Sequence, residues 1–187
     1  MVLAPEIEER VSIPEGVELT IQKADDAIDV SAKGPKGEVK RRFVSDKLDI
    51  VKEGKEVIVH CAFPRKKDKA LVGTWRAHLN NMMKGVKYGF EYRMKLVYAH
   101  FPVKMTFKDG IFTIQNFLGE RSPRKVRIID GVKVSIKGDE VLLSGVDIEK
   151  VGQSAARIEQ ATRIKGYDPR VFQDGIYIVE RRLGNEG

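Results

Sequence analysis

The feature that most constrains this chain is an internal duplication. Around Gly54 it reads Val51-Lys-Glu-Gly-Lys-Glu-Val-Ile-Val59, and around Gly138 it reads Ser135-Ile-Lys-Gly-Asp-Glu-Val-Leu-Leu143. Each is a pair of short apolar or alternating runs joined at a glycine, the pattern of a β-hairpin. Further on, Asp68-Lys-Ala-Leu-Val-Gly-Thr-Trp-Arg-Ala-His-Leu79 parallels Asp147-Ile-Glu-Lys-Val-Gly-Gln-Ser-Ala-Ala-Arg-Ile158. The shared skeleton is Asp, three residues, Val-Gly, and an aliphatic residue six positions after that glycine. Val72, Trp75, Leu79 and Met82 fall on one face at helical spacing, as do Val151, Ala155, Ile158 and Thr162. Asp68 and Asp147 are placed to cap these helices, because a carboxylate accepts the free N–H groups of a first turn. A glycine there costs about 1 kcal/mol of helix propensity. Gly73 and Gly152, at the same place in both copies, therefore predict a close approach by a strand or a phosphate.

The correspondence continues upstream. Ile28, Val30 and Ala32 alternate with polar residues before the tight turn Gly34-Pro-Lys-Gly37, and Val39 to Val44 continues as a strand. In the second copy Ile111-Phe-Thr-Ile-Gln115 leads through Leu118–Pro123 to Lys125-Val-Arg-Ile-Ile129. Gly138 follows Gly54 by 84 positions and Asp147 follows Asp68 by 79, so the first copy's hairpin-to-helix loop, holding Phe63-Pro-Arg-Lys-Lys-Asp-Lys69, is five residues longer. The expected fold is α+β: two tandem duplicated domains, each a small antiparallel β-sheet unit packed on one α-helix. The expected boundaries are 1–98 and 99–187. Tyr88–Pro102 reads as the last strand of the first unit running into the second, and a frayed tail is expected from about 181.

Composition narrows the function. No apolar run approaches the ~20 residues a membrane helix needs. Glu6, Glu8 and Glu9 near the start do not fit a signal peptide. The single cysteine, Cys61, cannot form an internal disulfide and fits a reducing compartment. The expectation is a cytoplasmic protein. Catalytic signals are soon exhausted. His60, His78 and His100 show no metal-ligand spacing, and adjacent His60 and Cys61 point to opposite faces of a strand. Cys61 reads as a small core residue. Gly34-Pro-Lys-Gly37 lacks the Gly-Lys-Ser/Thr ending of a phosphate loop. Asp25-Asp26 and Asp139-Glu140 read as turn formers. These readings predict no enzyme, cofactor, metal or small-molecule substrate; Asp147, Asp168 and His100 are the only groups an RNA-processing activity could draw on.

A polyanionic partner fits better. The formal net charge is +7, and residues 1–98 hold 13 Lys and 6 Arg against 7 Lys and 8 Arg in 99–187. Guanidinium groups match phosphate oxygens bidentately and stack on bases, which favours the second half as the RNA-gripping one. Arg121, Arg124, Lys125 and Arg127 place four cations within seven residues, on a loop stiffened by Ser122 and Pro123. Gln153, Arg157 and Gln160 lie opposite the apolar face of the second helix, with Arg163 and Lys165 following. In Tyr167–Tyr177, Arg170 and Tyr177 suit phosphate and base contacts and Gln173 adds a polar group, while Phe172 and Ile176 read as core. Each group taken singly also reads as plain solvated surface, and so, first of all, do Lys40-Arg-Arg42 and Arg65-Lys-Lys67, for which a secondary RNA or neighbouring-protein contact is the second reading.

At this point the chain resembles a known family. Gly85-Val-x-x-Gly-Phe-x-Tyr-x-Met-x-x-Val-Tyr-Ala-His-Phe-Pro102 and Phe172-x-Asp-Gly-Ile-Tyr177 are similar to the archaeal and eukaryotic branch of the large-subunit ribosomal protein six family, numbered nine in eukaryotes. Ile13-Pro-Glu-Gly-Val17, Lys33-Gly-Pro-Lys-Gly37 and Val151-Gly-Gln-x-Ala-Ala156 match the same pattern. The resemblance spans Ile13 to Tyr177, and a duplicated architecture belongs to the family. It implies a structural constituent of the large subunit that binds its rRNA mainly through the second domain, close to the sarcin–ricin loop and the elongation-factor site, beside neighbouring ribosomal proteins. By that analogy the loop at Arg121–Arg127, the face with Gln153 and Arg157, and Arg170–Tyr177 form the RNA surface. The segment after the second helix lacks the bacterial branch's glycine- and lysine-rich ending, so contacts of bacterial members do not carry over to Asp168–Gln173. The rival reading is a non-ribosomal protein–protein interaction module.

Overall fold

The computed structural model describes residues 6–24, 27–98, 100–168 and 170–184. The acidic pair Asp25-Asp26, Pro169 after Asp168, and 185–187 at the end of the expected tail lie outside the described residues. The chain divides into two compact units, Met1–Tyr88 and Gly89–Gly187.

The first unit runs β1 (Glu6–Ser12), β2 (Glu18–Ala24), β3 (Ala27–Gly34), β4 (Gly37–Phe43), β5 (Leu48–Glu53), β6 (Glu56–Ala62) and α1 (Lys66–Tyr88). Two antiparallel sheets result, ordered β1-β6-β5 and β2-β3-β4. Val57, Val59 and Cys61 on one face of β6 are fully buried, and on the other face Ile58 is buried while His60 is only half-buried. The expected hairpin closes through Gly54 at φ 58°, with Glu53 opposite Glu56. Helix α1 lays Val72, Trp75, Leu79 and Met82 inward as its spacing predicts, all at most 4% exposed. Phe43 meets Trp75 with ring centroids 5.0 Å apart. Desolvation, with Asp68 nearby, raises the Cys61 thiol above its ordinary range, which suits a core residue and not a nucleophile.

The second unit repeats this order: β7 (Phe90–Val97), β8 (Lys104–Lys108), β9 (Ile111–Gln115), β10 (Arg124–Arg127), β11 (Lys133–Lys137), β12 (Glu140–Gly145), α2 (Ile148–Ala161) and a further strand, β13 (Gly175–Leu183). Strands β8, β9 and β10 form one antiparallel sheet, and the other is ordered β11-β12-β7-β13. In both units a lone first strand adds to the edge of the late hairpin, a three-stranded meander intervenes, and one helix follows. The core gathers Tyr92, Met94 and Leu96 of β7, Phe112 and Ile114 of β9, and Val151, Ala155 and Ile158 of α2.

The structure corrects four expectations. The division falls after Tyr88, not after Tyr98, because β7 pairs with β12 on one side and β13 on the other and buries its alternate residues in the second core. The Tyr88–Pro102 stretch thus opens the second unit instead of closing the first. The chain from 181 is not frayed as far as it is described. Arg181, Arg182 and Leu183 pair with Tyr92, Glu91 and Phe90, and the Gly184 N–H donates to Gly89 O at 2.9 Å. The caps differ too. Asp147 is the N-cap of α2, its side chain accepting the Glu149 N–H at 2.9 Å. Helix α1 begins at Lys66, so Asp68 lies inside the first turn and accepts the Arg65 N–H from there, at 2.9 Å. No strand approaches closely at the first of the paired helix glycines, where a Cβ on Gly73 would meet nothing within 4 Å; at Gly152 the Tyr92 side chain of β7 would lie at ordinary contact distance, 3.6 Å from the added Cβ.

Candidate nucleic-acid interface

The surface begins with the polar side of α2. Burying Val151, Ala155 and Ile158 turns Gln153, Arg157 and Gln160 outward to solvent. The helix ends at Thr162, whose hydroxyl is bonded back to Ile158 and Glu159 and accepts the Ile176 N–H at 3.0 Å. That bond fixes where β13 starts relative to the helix. Arg163 and Lys165, just past the cap, are exposed.

Strand β10 lies alongside. Val126 is buried, so alternation leaves Lys125 and Arg127 facing out, and Arg121 and Ser122 are exposed on the loop before it. An Arg157 guanidinium nitrogen donates to Arg127 O at 3.3 Å, joining strand and helix face. Arg124 is different. It donates to both carboxylate oxygens of Glu120 and, at 2.7 Å, to Ala161 O, and it covers the Phe117 ring with its guanidinium carbon 4.4 Å from the centroid. A cation over the last carbonyls of a helix satisfies groups that have no intrahelical donor. Arg124 therefore fastens α2 to the loop instead of presenting a free fork. In return it holds the Glu120 carboxyl below the usual glutamate range, so the acid facing this surface is already engaged.

Leu118, Glu120, Arg124, Gln160, Ala161, Arg163, Lys165 and Tyr167 line a cleft of about 400 Å³. Gln160, Arg163 and Lys165 of the expected set converge here. The third expected segment joins through aromatic rings: Tyr167 meets Phe172 at 4.7 Å, and Phe172 stacks on His100 at 4.4 Å. Asp174, 1% exposed, is hydrogen-bonded through its carboxylate to His100 Nδ1 at 2.8 Å. On the other side, Asn116 donates to Pro102 O at 2.8 Å, and Gly119 at φ 76° sits against the Phe101 ring. The His100–Pro102 stretch thus ties the loop before β10 to the segment before β13. Arg170 is exposed beyond an Asp168 turn, where Asp168 Oδ1 accepts the Arg170 N–H at 2.9 Å. Gln173 is exposed, and its carbonyl accepts the Tyr177 hydroxyl at 2.9 Å; Tyr177 remains 41% exposed beside Gly175. Phe172 is half-buried and Ile176 fully buried, as core residues should be.

Tyr167, Glu120, His100 and Asp174 were missed as site residues. Asp174-Gly175 reads locally as a turn, and nothing local announces a partner 74 residues away. The three groups weighed for catalysis are all employed otherwise: Asp147 as a cap, Asp168 in its turn, His100 with Asp174. Among the described residues Glu6, Glu8 and His60 bring potential ligand atoms within 4.8 Å of one another, because β1 pairs with β6 and sets Glu8 opposite His60. Both carboxylates are exposed. No helix of the described residues is long and apolar enough to cross a membrane.

Comparison with known proteins gives a consistent picture. A family model described as ribosomal protein L6 matches residues 2–89 and 102–175, one match in each unit. The large ribosomal subunit protein uL6 of Methanosphaera stadtmanae is 54% identical over 183 residues, covering 97% of both chains. Its namesake in Methanobrevibacter smithii is 49% identical over 181 residues, covering 97% of this chain and 99% of that one. The namesake in Methanococcus vannielii is 45% identical over 181 residues.

Proposed function

The chain belongs to the ribosomal protein L6 family, and we propose that it serves in the large ribosomal subunit as a structural, rRNA-binding component whose second unit makes the main grip. As a member of that family it is a structural protein and not an enzyme. Its place of action is the ribosome in the cytoplasm. The observation that carries the RNA reading is the convergence on one cleft of Gln160, Arg163 and Lys165, with Arg157, Lys125 and Arg127 on the adjoining helix and strand, while Glu120 is neutralised by Arg124.

The proposed mechanism is a rigid clamp. Cations held by a helix and a strand neutralise closely packed phosphates and release their counterions, and the fixed spacing selects a backbone geometry. Gln153, Gln160, Ser122 and Gln173 supply uncharged partners for phosphate or 2′-hydroxyl oxygens. Arg121, Arg170 and Tyr177 extend the surface along both flanks. Arg124 takes part as the residue that holds loop and helix together. The family resemblance directs this surface to the sarcin–ricin region beside the elongation-factor site, where a fixed stalk base supports translation and subunit assembly, with neighbouring ribosomal proteins at its margins.

The test is binding of the full chain to a large-subunit rRNA fragment containing the sarcin–ricin stem, across a salt titration. A steep negative salt slope is expected, made shallower by about 1 for each phosphate contact removed by Arg157→Ala, Arg163→Ala or Lys165→Ala. Association that ignores both salt and these substitutions would transfer the function to protein contacts.

A further inference from the structure

The two units differ at the junction between their late hairpin and their helix. In the second unit β12 ends at Gly145 and α2 begins at Ile148, leaving Val146 and Asp147 between them. In the first, β6 ends at Ala62 and α1 begins at Lys66, and the junction is Phe63-Pro64-Arg65. Pro64 is buried and pins the turn, whereas Phe63 is 79% exposed, the most exposed of the large hydrophobic side chains among the described residues. Its backbone is at φ 48°, a left-handed conformation that a bulky L residue adopts at a cost. A phenyl ring left in water on a strained backbone contributes nothing to the fold of its own unit. Such outliers gather at binding sites.

Its neighbours are cationic. Arg65, Lys66 and Lys67 are exposed, and none of their side chains forms an ion pair among the described residues. The nearby acid, Asp68, is engaged by the Arg65 N–H at 2.9 Å and by Lys47 Nζ at 3.7 Å. The patch is thus a projecting aromatic ring with uncompensated positive charge beside it. An acidic protein segment would need the charge but gain little from the ring, whereas an unpaired nucleotide uses both: a base stacks on an aromatic face while its phosphates meet the cations. We propose that Phe63, with Arg65, Lys66 and Lys67, forms a second RNA contact in the first unit, one that takes an unpaired, stackable base. It lies outside the second-unit surface and does not depend on that reading.

The experiment uses the full chain with Phe63→Trp, which places an exposed indole at the patch; the chain's other tryptophan, Trp75, is 4% exposed and gives a constant background. A short oligoadenylate is the probe. Expected is saturable, salt-sensitive quenching of the new tryptophan, with apparent affinity falling about tenfold when Lys66→Glu and Lys67→Glu are added. Arg163→Ala and Lys165→Ala in the second unit should leave that signal unchanged. Absence of quenching, indifference to the charge reversals, or equal quenching by polyglutamate would each overturn the proposal.

Discussion

Arg124 shows why a cluster of cations cannot be weighed by count. Arg121, Arg124, Lys125 and Arg127 look equivalent in the chain, yet one of them spends its fork on Glu120, Ala161 O and the Phe117 ring. Arg124→Ala is therefore expected to act first on stability. It strips a carbonyl and a carboxylate of a charged donor, a loss of about 1–3 kcal/mol, visible as a lower Tm at pH 7. Its partner supplies a pH signature. Glu120 is held below its ordinary range by hydrogen bonds from Arg124, so the folded chain favours the carboxylate more than the unfolded chain does. That contribution is complete above the unfolded value of about 4.3 and is lost as pH falls through the lower folded value. Thermal melts of Glu120→Gln should accordingly show a shallower fall in stability below about pH 4.3 than the parent chain. Identical acid limbs would mean that the pair is too well solvated to matter.

At the scale of the element, glycines separate by what surrounds them. A Cβ on Gly34 would lie 2.6 Å from the Val86 carbonyl oxygen, because the turn between β3 and β4 packs on the last turns of α1 and donates the Lys36 N–H to that same oxygen at 3.0 Å. The loop that superficially resembled a phosphate cradle is thus a cover for a helix C-terminus. Gly34→Ala should destabilise the chain by about 1–3 kcal/mol, since the obstacle is backbone and not a movable side chain. Gly73→Ala should do the reverse. Gly73 sits in α1 in open space, so the substitution is expected to add about 0.5–1 kcal/mol. Denaturant midpoints of the two variants check both signs in one experiment. The helices themselves were legible, because every side chain expected inward on α1 and α2 is buried. Their first turns were not. Asp68 and Asp147 occupy equivalent places in the repeat but different places in their helices: the first unit's loop, expected to be five residues longer, is longer by one, because Lys66–Lys69 are already the first turn of α1, whereas α2 begins only after Asp147.

For the whole molecule, the decisive strand is β7. It is the centre of the second unit's four-stranded sheet, flanked by β12 and β13. A fragment cut at the boundary expected from the chain, 99–187, would lack it and expose the inner edges of both neighbours. A fragment of residues 89–187 keeps the complete hydrogen-bond ladder and core. Cooperative thermal unfolding is expected from 89–187 and none from 99–187. If both unfold cooperatively at the same temperature, β7 is dispensable and the division at Tyr88 is not a folding boundary.

The duplication, the hairpin glycines and the two helical faces were determined by the sequence alone, because each is a periodic or local signal that burial enforces within a few residues. The tertiary structure decided what depends on partners far along the chain. Whether Tyr88–Pro102 ends one unit or begins the next is set by the pairing of Phe90–Val97 with strands around residues 140 and 175. Which cations are free, which buried acid holds His100, and which phenylalanine is left in water follow in the same way from contacts that have no signature in local spacing.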